Sequence, residues 1–276
     1  MPKLTVLIPC KDEIQHIRAC IESARPIADE ILIADSGSTD GTLEVVASLG
    51  GCRVIEREYV NSADFKNWAI PQAACEWVLV VDADERVTPE LAAEIKNLFA
   101  FPPPCDGYSL RRDDYFLGHK INHCGWSRSR LIRLFRRDVS RYQVRRVHAD
   151  VQVAGGRVGQ LQGRLAHYTA TDLDHFVAKQ HRYSIWSALD AYDAGKRATL
   201  GRLLTHAPLR FLHTYLIKGG FRDGRAGLVV CGLTALYSFL KDAKLWALAN
   251  SRVREDQTAT AAVAALRQQA ASKRAA

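Results

Sequence analysis

Apolar runs and polar interruptions alternate along the first hundred residues. Leu4-Thr5-Val6-Leu7-Ile8 is a short β-rich run halted by Pro9. Ile14, Ile17, Ile21 and Ala24 then recur at helical spacing, and Pro26 ends that stretch. Glu30 to Ala34 predicts a second strand closed by Asp35, Leu43 to Leu49 a helix, and Arg53-Val54-Ile55 a third strand. A helix-like segment from Phe65 to Ala74 leads into Trp77-Val78-Leu79-Val80-Val81, whose unbroken apolar character predicts a central strand covered on both faces. Strands and helices alternating at this length predict right-handed βαβ units. The fold class is α/β, with a Rossmann-like, mostly parallel sheet.

Ligands of such sheets bind at the carboxyl ends of the strands. Three of those ends carry reactive or polar residues: Lys11-Asp12-Glu13, Asp35 with Ser36-Gly37-Ser38-Thr39-Asp40-Gly41-Thr42, and Asp82-Ala83-Asp84 with Glu85 behind. Asp82 and Asp84 stand two apart, so on an extended strand end both carboxylates share a side. Clustered carboxylates repel unless a cation sits between them, and hard oxygen ligands suit Mg²⁺ or Mn²⁺. The other reading is a solvated loop with three acids. Turn and cap chemistry alone would account for Asp35, but not for three strand ends agreeing. No G-x-G-x-x-G or Walker P-loop is present, which weighs against dinucleotide and NTPase folds. A nucleotide can still lie here, with Asp35 accepting from a base or ribose.

The 276 residues allow one large domain, or one domain with an appendage; 47% hydrophobic and 25% charged residues are ordinary for a globular protein. Seven scattered cysteines without a C-x-x-C pair argue against a disulfide framework or a zinc site, and for a reducing compartment. The N-terminus runs straight into a strand pattern, with no secretory signal. Charge is uneven: residues 111–146 hold eleven Lys or Arg against three Asp, an excess equal to the whole chain's +8. With aromatics interleaved, this segment reads as a surface facing phosphate, anionic lipid or nucleic acid. A nucleic-acid-binding protein would have no need of the paired carboxylates, so nucleic acid is not expected as a partner.

The combination Ile8-Pro9-Cys10-Lys11-Asp12-Glu13, Ala34 to Thr42 and Val81-Asp82-Ala83-Asp84 resembles family 2 glycosyltransferases of the GT-A fold. The resemblance implies a nucleotide-sugar donor, a UDP-sugar, with uracil and ribose near Pro9, Glu13 and Asp35 and with Lys11 in the same turn. It implies a diphosphate held through Mg²⁺ or Mn²⁺ at Asp82 and Asp84. Lys66 and Asn67 match a basic-Asn pair of the family that faces the donor. Asp12 departs from the pattern, since many relatives have Asn there.

Further along, Tyr115-Phe116-Leu117-Gly118, His123-Cys124-Gly125-Trp126, Arg133-Leu134-Phe135-Arg136, Val147-His148, Leu165-Ala166-His167-Tyr168 and Lys179 to Tyr183 follow in turn. This series resembles the WaaE/LgtF-like β-glucosyltransferases of the lipopolysaccharide inner core. It implies a lipid-linked, phosphorylated heptose acceptor, which the basic segment suits. The subgroup usually has Val-His-Glu where this chain has Val147-His148-Ala149-Asp150. The expected general base is therefore Asp150, with His148 as metal ligand or its support, and Asp113 and Asp114 as fallbacks. A capsule or other polysaccharide precursor is the alternative acceptor, and a non-catalytic sugar-nucleotide sensor a further reading.

The last quarter is helical in pattern. Leu203, Leu204, Ala207, Phe211, Leu212, Tyr215 and Leu216 make an apolar stripe flanked by Arg202, Arg210, Lys218 and Arg222. Ala226 to Leu240 is uncharged, but fifteen residues fall short of the ~20 of a membrane span. Such helices suit either a membrane interface or packing against the catalytic domain or a second copy. The expected layout is a catalytic domain over 1–170, with donor half 1–100 and acceptor half 101–170. A helical region over 171–276 would follow, on an enzyme that is cytoplasmic and peripheral on the inner membrane face.

Overall fold

The computed structural model describes residues 2–126, 130–143 and 150–250. Strands β1 (Leu4–Cys10), β2 (Glu30–Asp35), β3 (Cys52–Glu56) and β4 (Trp77–Val80) lie parallel in the order β3-β2-β1-β4. Helices α1 (Ile17–Ala24), α2 (Thr42–Leu49) and α3 (Ser62–Ala69) occupy the crossovers. Beyond β4 the sheet continues through β8 (Arg130–Arg136), β6 (Gly107–Phe116), β11 (Val158–Ala170) and β5 (Glu85–Val87), with β7 (His119–Ile121) paired to β6. β6 and β11 are parallel to each other, whereas β8 and β5 run against their neighbours. The sheet is mixed but mostly parallel, as the alternating pattern predicts. A separate antiparallel pair joins β9 (Ser140–Tyr142) to β10 (Val151–Val153).

The unbroken apolar run of β4 is explained by its two packed faces. Trp77, Leu79 and Val81 point into one core with Ile17 and Ile21 of α1 and with Leu91 and Ile95 of α4 (Pro89–Phe99). Val78 and Val80 point into the other, with Phe65 and Ile70. Each fully buried side chain of this kind stabilises the fold by roughly 1.5–3 kcal/mol. Pro9 does not halt β1, which runs on to Cys10. Leu7 accepts from Val81 on the β4 side. Pro9, two residues later, faces the same side beyond the last β1–β4 partner, Val80 opposite Leu7, where the ladder needs no donor.

Three helices follow the sheet: α5 (Leu173–Asp193), α6 (Leu200–Leu212) and α7 (Gly224–Asn250). The uncharged stretch 226–240 is thus the middle of a 27-residue helix. By length and composition Gly220–Asn250 could cross a membrane. Within it, however, the buried Asp242 pairs with Arg202 Nε at 2.9 Å and with His206, both on α6. A further core of Phe116, Ile121, Phe176, Val230 and Cys231 ties the far ends of β6 and β7 to α5 and α7. At Gly227 a methyl group would collide with the Gly220 carbonyl, so α7 rests directly on the preceding turn.

Candidate active site

The loops after β1 and β2 are zipped together. Asp12, at φ 53°, donates its N–H to Ser38 Oγ at 2.9 Å and accepts from the Thr39 N–H at 2.8 Å. Asp40 accepts from the Ile14 N–H at 3.0 Å, and Thr42 Oγ1 accepts from the Glu13 N–H at 2.8 Å. Asp35 is fully buried, and its carboxylate accepts from the N–H groups of Gly37 (2.7 Å) and Ser38 (2.9 Å) and from the Ser38 hydroxyl. Its contacts therefore anchor the turn, the capping chemistry that its sequence neighbours also fit. Pro9 is half-buried at the end of β1, and the exposed Lys11 lies with Nζ 3.5 Å from the Ser36 carbonyl.

Asp82, Ala83 and Asp84 sit in a turn closed by the Glu85 N–H donating to the Asp82 carbonyl at 2.8 Å. They are not on an extended strand end, so the shared-side expectation is corrected: each carboxylate has its own pair of cations. Asp82 meets Lys66 Nζ and Arg133, each at 2.7 Å. Although burial alone would raise it, Arg133 and Lys66 hold this carboxyl well below the usual range. Glu85 turns inward, is fully buried, and meets Arg133 at 2.8 Å and Arg112 at 3.3 Å. Asp84 faces His167 Nε2 at 3.4 Å and Lys179 Nζ at 3.6 Å. Burial opposes its ionisation as well, and His167 and Lys179 overcome that, keeping the carboxyl far down.

Strand register brings His167 to this place. β11 lies between β5 and β6, with His167 opposite Glu85 on one side and Asp114 on the other. His167 Nδ1 meets Asp114 Oδ1 at 2.6 Å, leaving Nε2 towards Asp84. Burial would lower the imidazole pKa; the Asp84 and Asp114 carboxylates push it up instead, to about 9. A cleft of about 220 Å³ opens beside Asp84, lined among others by Glu13, Tyr168, His175 and Lys179. Burial, with Asp84 and Asp82 adding and Lys179 opposing, pushes the Glu13 carboxyl up to about 7.

Lys66, Asn67, Asp113, Asp114 and Asp150 do not line this cleft. Lys66 also lies over the Tyr142 ring at 5.4 Å, and the Asn67 amide brackets the Tyr142 backbone, with bonds of 2.9 and 2.8 Å. Lys66 and Asn67 thereby fasten β9 to α3. Asp150 is exposed just ahead of β10, its carbonyl accepting from the Gln143 N–H at 2.9 Å; Val151 beside it is the partner of Tyr142. His148 lies outside the described residues. Of the fallbacks, Asp114 is committed to His167, and Asp113 to Lys120 at 2.7 Å and Arg164 at 2.8 Å.

The basic segment is not one anion-facing surface. Among its described residues Arg133 and Arg112 neutralise buried Glu85, Lys120 pairs with Asp113, and Arg136 pairs with Glu76 at 2.8 Å. Sequence reasoning left His167 and Lys179 without roles, though both lie in the motif series. Nothing in local spacing joins them to Asp84, from which 83 and 95 positions separate them; the register of β11 and the docking of α5 do.

The chain is 32% identical over 254 residues to the lipopolysaccharide core biosynthesis glycosyltransferase LpsC of Rhizobium meliloti (strain 1021), covering 89% of this chain and 93% of that protein. It is 29% identical over 264 residues to the uncharacterized glycosyltransferase RT0209 of Rickettsia typhi, covering 89% and 87%. Among solved structures, the mannosyltransferase PcManGT from Pyrobaculum calidifontis in complex with GDP-Man and Mn²⁺ matches at a TM-score of 0.48 and 17% identity, over 96% of this chain and 79% of that one. The profile of Glycosyl transferase family 2 matches residues 5–148. With that span and the near full-length likeness to LpsC, the chain belongs to glycosyl transferase family 2.

Proposed function

We propose that this glycosyltransferase moves a hexose, glucose, from a UDP-sugar to a heptose of a lipid-linked lipopolysaccharide inner core, with inversion at the anomeric carbon. Two observations together support the reading: Asp84 lines the cleft with the buried His167 and Asp114 behind it, and a lipopolysaccharide-core relative matches over 89% of the chain.

The residues fit a divalent cation. Asp84 offers a hard carboxylate, and His167, its Nδ1 held by Asp114, would offer Nε2 on the same side once an ion displaces the proton that Asp84 and Asp114 stabilise there; a carboxylate behind a ligating histidine is the usual second layer of a metal site. Imidazole in the donor set favours Mn²⁺ over Mg²⁺. Among the described residues no three His, Cys, Asp or Glu side chains converge as a metal group, so the other positions would go to water and diphosphate oxygens. When bound, the ion neutralises the departing diphosphate.

The chain's own residues do the rest. Lys179 supplies a fixed positive charge beside Asp84, where the leaving group gathers negative charge. Lys66 and Arg133 hold Asp82 rigid, so the turn keeps its shape as the donor enters. Asp150 takes the proton of the acceptor hydroxyl as its oxygen bonds to the anomeric carbon and the sugar–phosphate bond breaks, releasing UDP. A panel of nucleotide sugars offered with heptose-containing core fragments tests the proposal. Transfer from UDP-glucose to those fragments is expected; transfer to none of them would sink the acceptor assignment.

A further inference from the structure

Helix α6 is amphipathic, yet among the described residues none of its thirteen is fully buried. Leu203, Ala207 and Phe211 are half-covered, and Phe211 packs towards the α7 core. Other apolar residues are bare: Leu200 is 72% exposed, Leu204 66%, Leu209 60% and Ile217, in the π-helical turn His213–Ile217, 75%. Leu200, Leu204, Pro208 and Leu212 recur every fourth residue, a row that winds slowly around the helix towards Leu216 in the π-helical turn. α7 extends the apolar area with exposed Leu236, Phe239 and Trp246.

Charge selects the occupant. Residues 194–222 contain six Lys or Arg and no Asp or Glu. Arg202 is turned in to Asp242, but Arg210 and Arg222 are exposed and follow the exposed Leu209 and Phe221 in the chain. A second copy would bring the same cations against each other, whereas an anionic bilayer offers phosphates at the rim and acyl chains beneath the leucines. We propose that the outer face of α6 and its π-helical turn is a docking surface for an anionic phospholipid membrane. This rests on the reading of the acceptor as lipid-linked and gives that reading a surface. The face is coupled to the cleft: Phe176 of α5 lines the cleft and shares a core with Val230 and Cys231 of α7.

The test is co-sedimentation of the full chain with phosphatidylglycerol-containing vesicles and with pure phosphatidylcholine vesicles, alongside donor hydrolysis and sedimentation velocity. Binding to the anionic vesicles is expected, weakening as salt rises. Leu204→Asp with Leu216→Asp should reduce it by about tenfold or more at unchanged donor hydrolysis. Should that pair fail to fold, Arg210→Glu with Arg222→Glu should reduce it by about fivefold or more per residue. Equal binding to both vesicle types, unchanged binding by the folded variants, or a dimer that both leucine changes dissociate without any vesicle binding would each overturn the proposal. Vesicle binding by a protein that transfers no sugar would leave the surface standing and remove the acceptor assignment.

Discussion

His167 has a carboxylate at each ring nitrogen, and this double partnership sets what it can do. Asp114 fixes the ring from Nδ1 at 2.6 Å, and Asp84 waits at 3.4 Å from Nε2. Asp114→Asn should therefore weaken Mn²⁺ binding in the presence of UDP by about 10–100-fold, read by calorimetric titration; an unchanged affinity would deny Asp114 its positioning role. Glu13 makes a pH prediction. Its folded-state pKa is raised from 4.5 to about 7 by burial and neighbouring acids. Its contribution to stability is fully present below pH 4.5 and is lost as pH rises through about 7. The melting temperature of the metal-free wild type should fall relative to Glu13→Gln across that window, and parallel curves would contradict it. Asp150→Asn should lower kcat by about 10²–10⁴-fold with UDP affinity retained; full turnover would place the base elsewhere. The Asp82-Ala83-Asp84 acids were legible because they are neighbours in sequence. Their partners were not, because Lys66, Arg133, His167 and Lys179 reach them only through folding.

At the level of elements, the first four strands could be read directly, since a run such as Trp77 to Val81 has no other stable home than between two apolar layers. Leu79→Ala, in the middle of that run and fully buried, should cost about 2–5 kcal/mol in chemical denaturation. A loss under 1 kcal/mol would mean that the strand is not packed on the face assigned to it. The basic segment shows the opposite case. Charge counting could not foresee that Arg133 turns inward to acids 48 and 51 residues away. Periodicity in the last quarter did predict helices, but not which apolar side of α6 is covered by α7 and which is bare.

For the whole molecule, a sheet that gathers the donor loops, the acid turn and His167 is joined through the Phe116–Phe176–Val230 core to a helical unit with a bare apolar edge. On the proposed function, the soluble donor would enter the cleft while the acceptor stays in a bilayer. The most direct test of this account is a single turnover experiment with UDP-glucose and a heptose-containing core acceptor, run with Mn²⁺ and then with chelator, on wild type and Asp84→Ala. Glucosylated acceptor should form with the wild type and Mn²⁺, should fall to background with chelator, and should be absent with Asp84→Ala. Equal product from the Asp84→Ala variant, or from wild type stripped of divalent ions, would contradict the central role given to the Asp84–His167 pair.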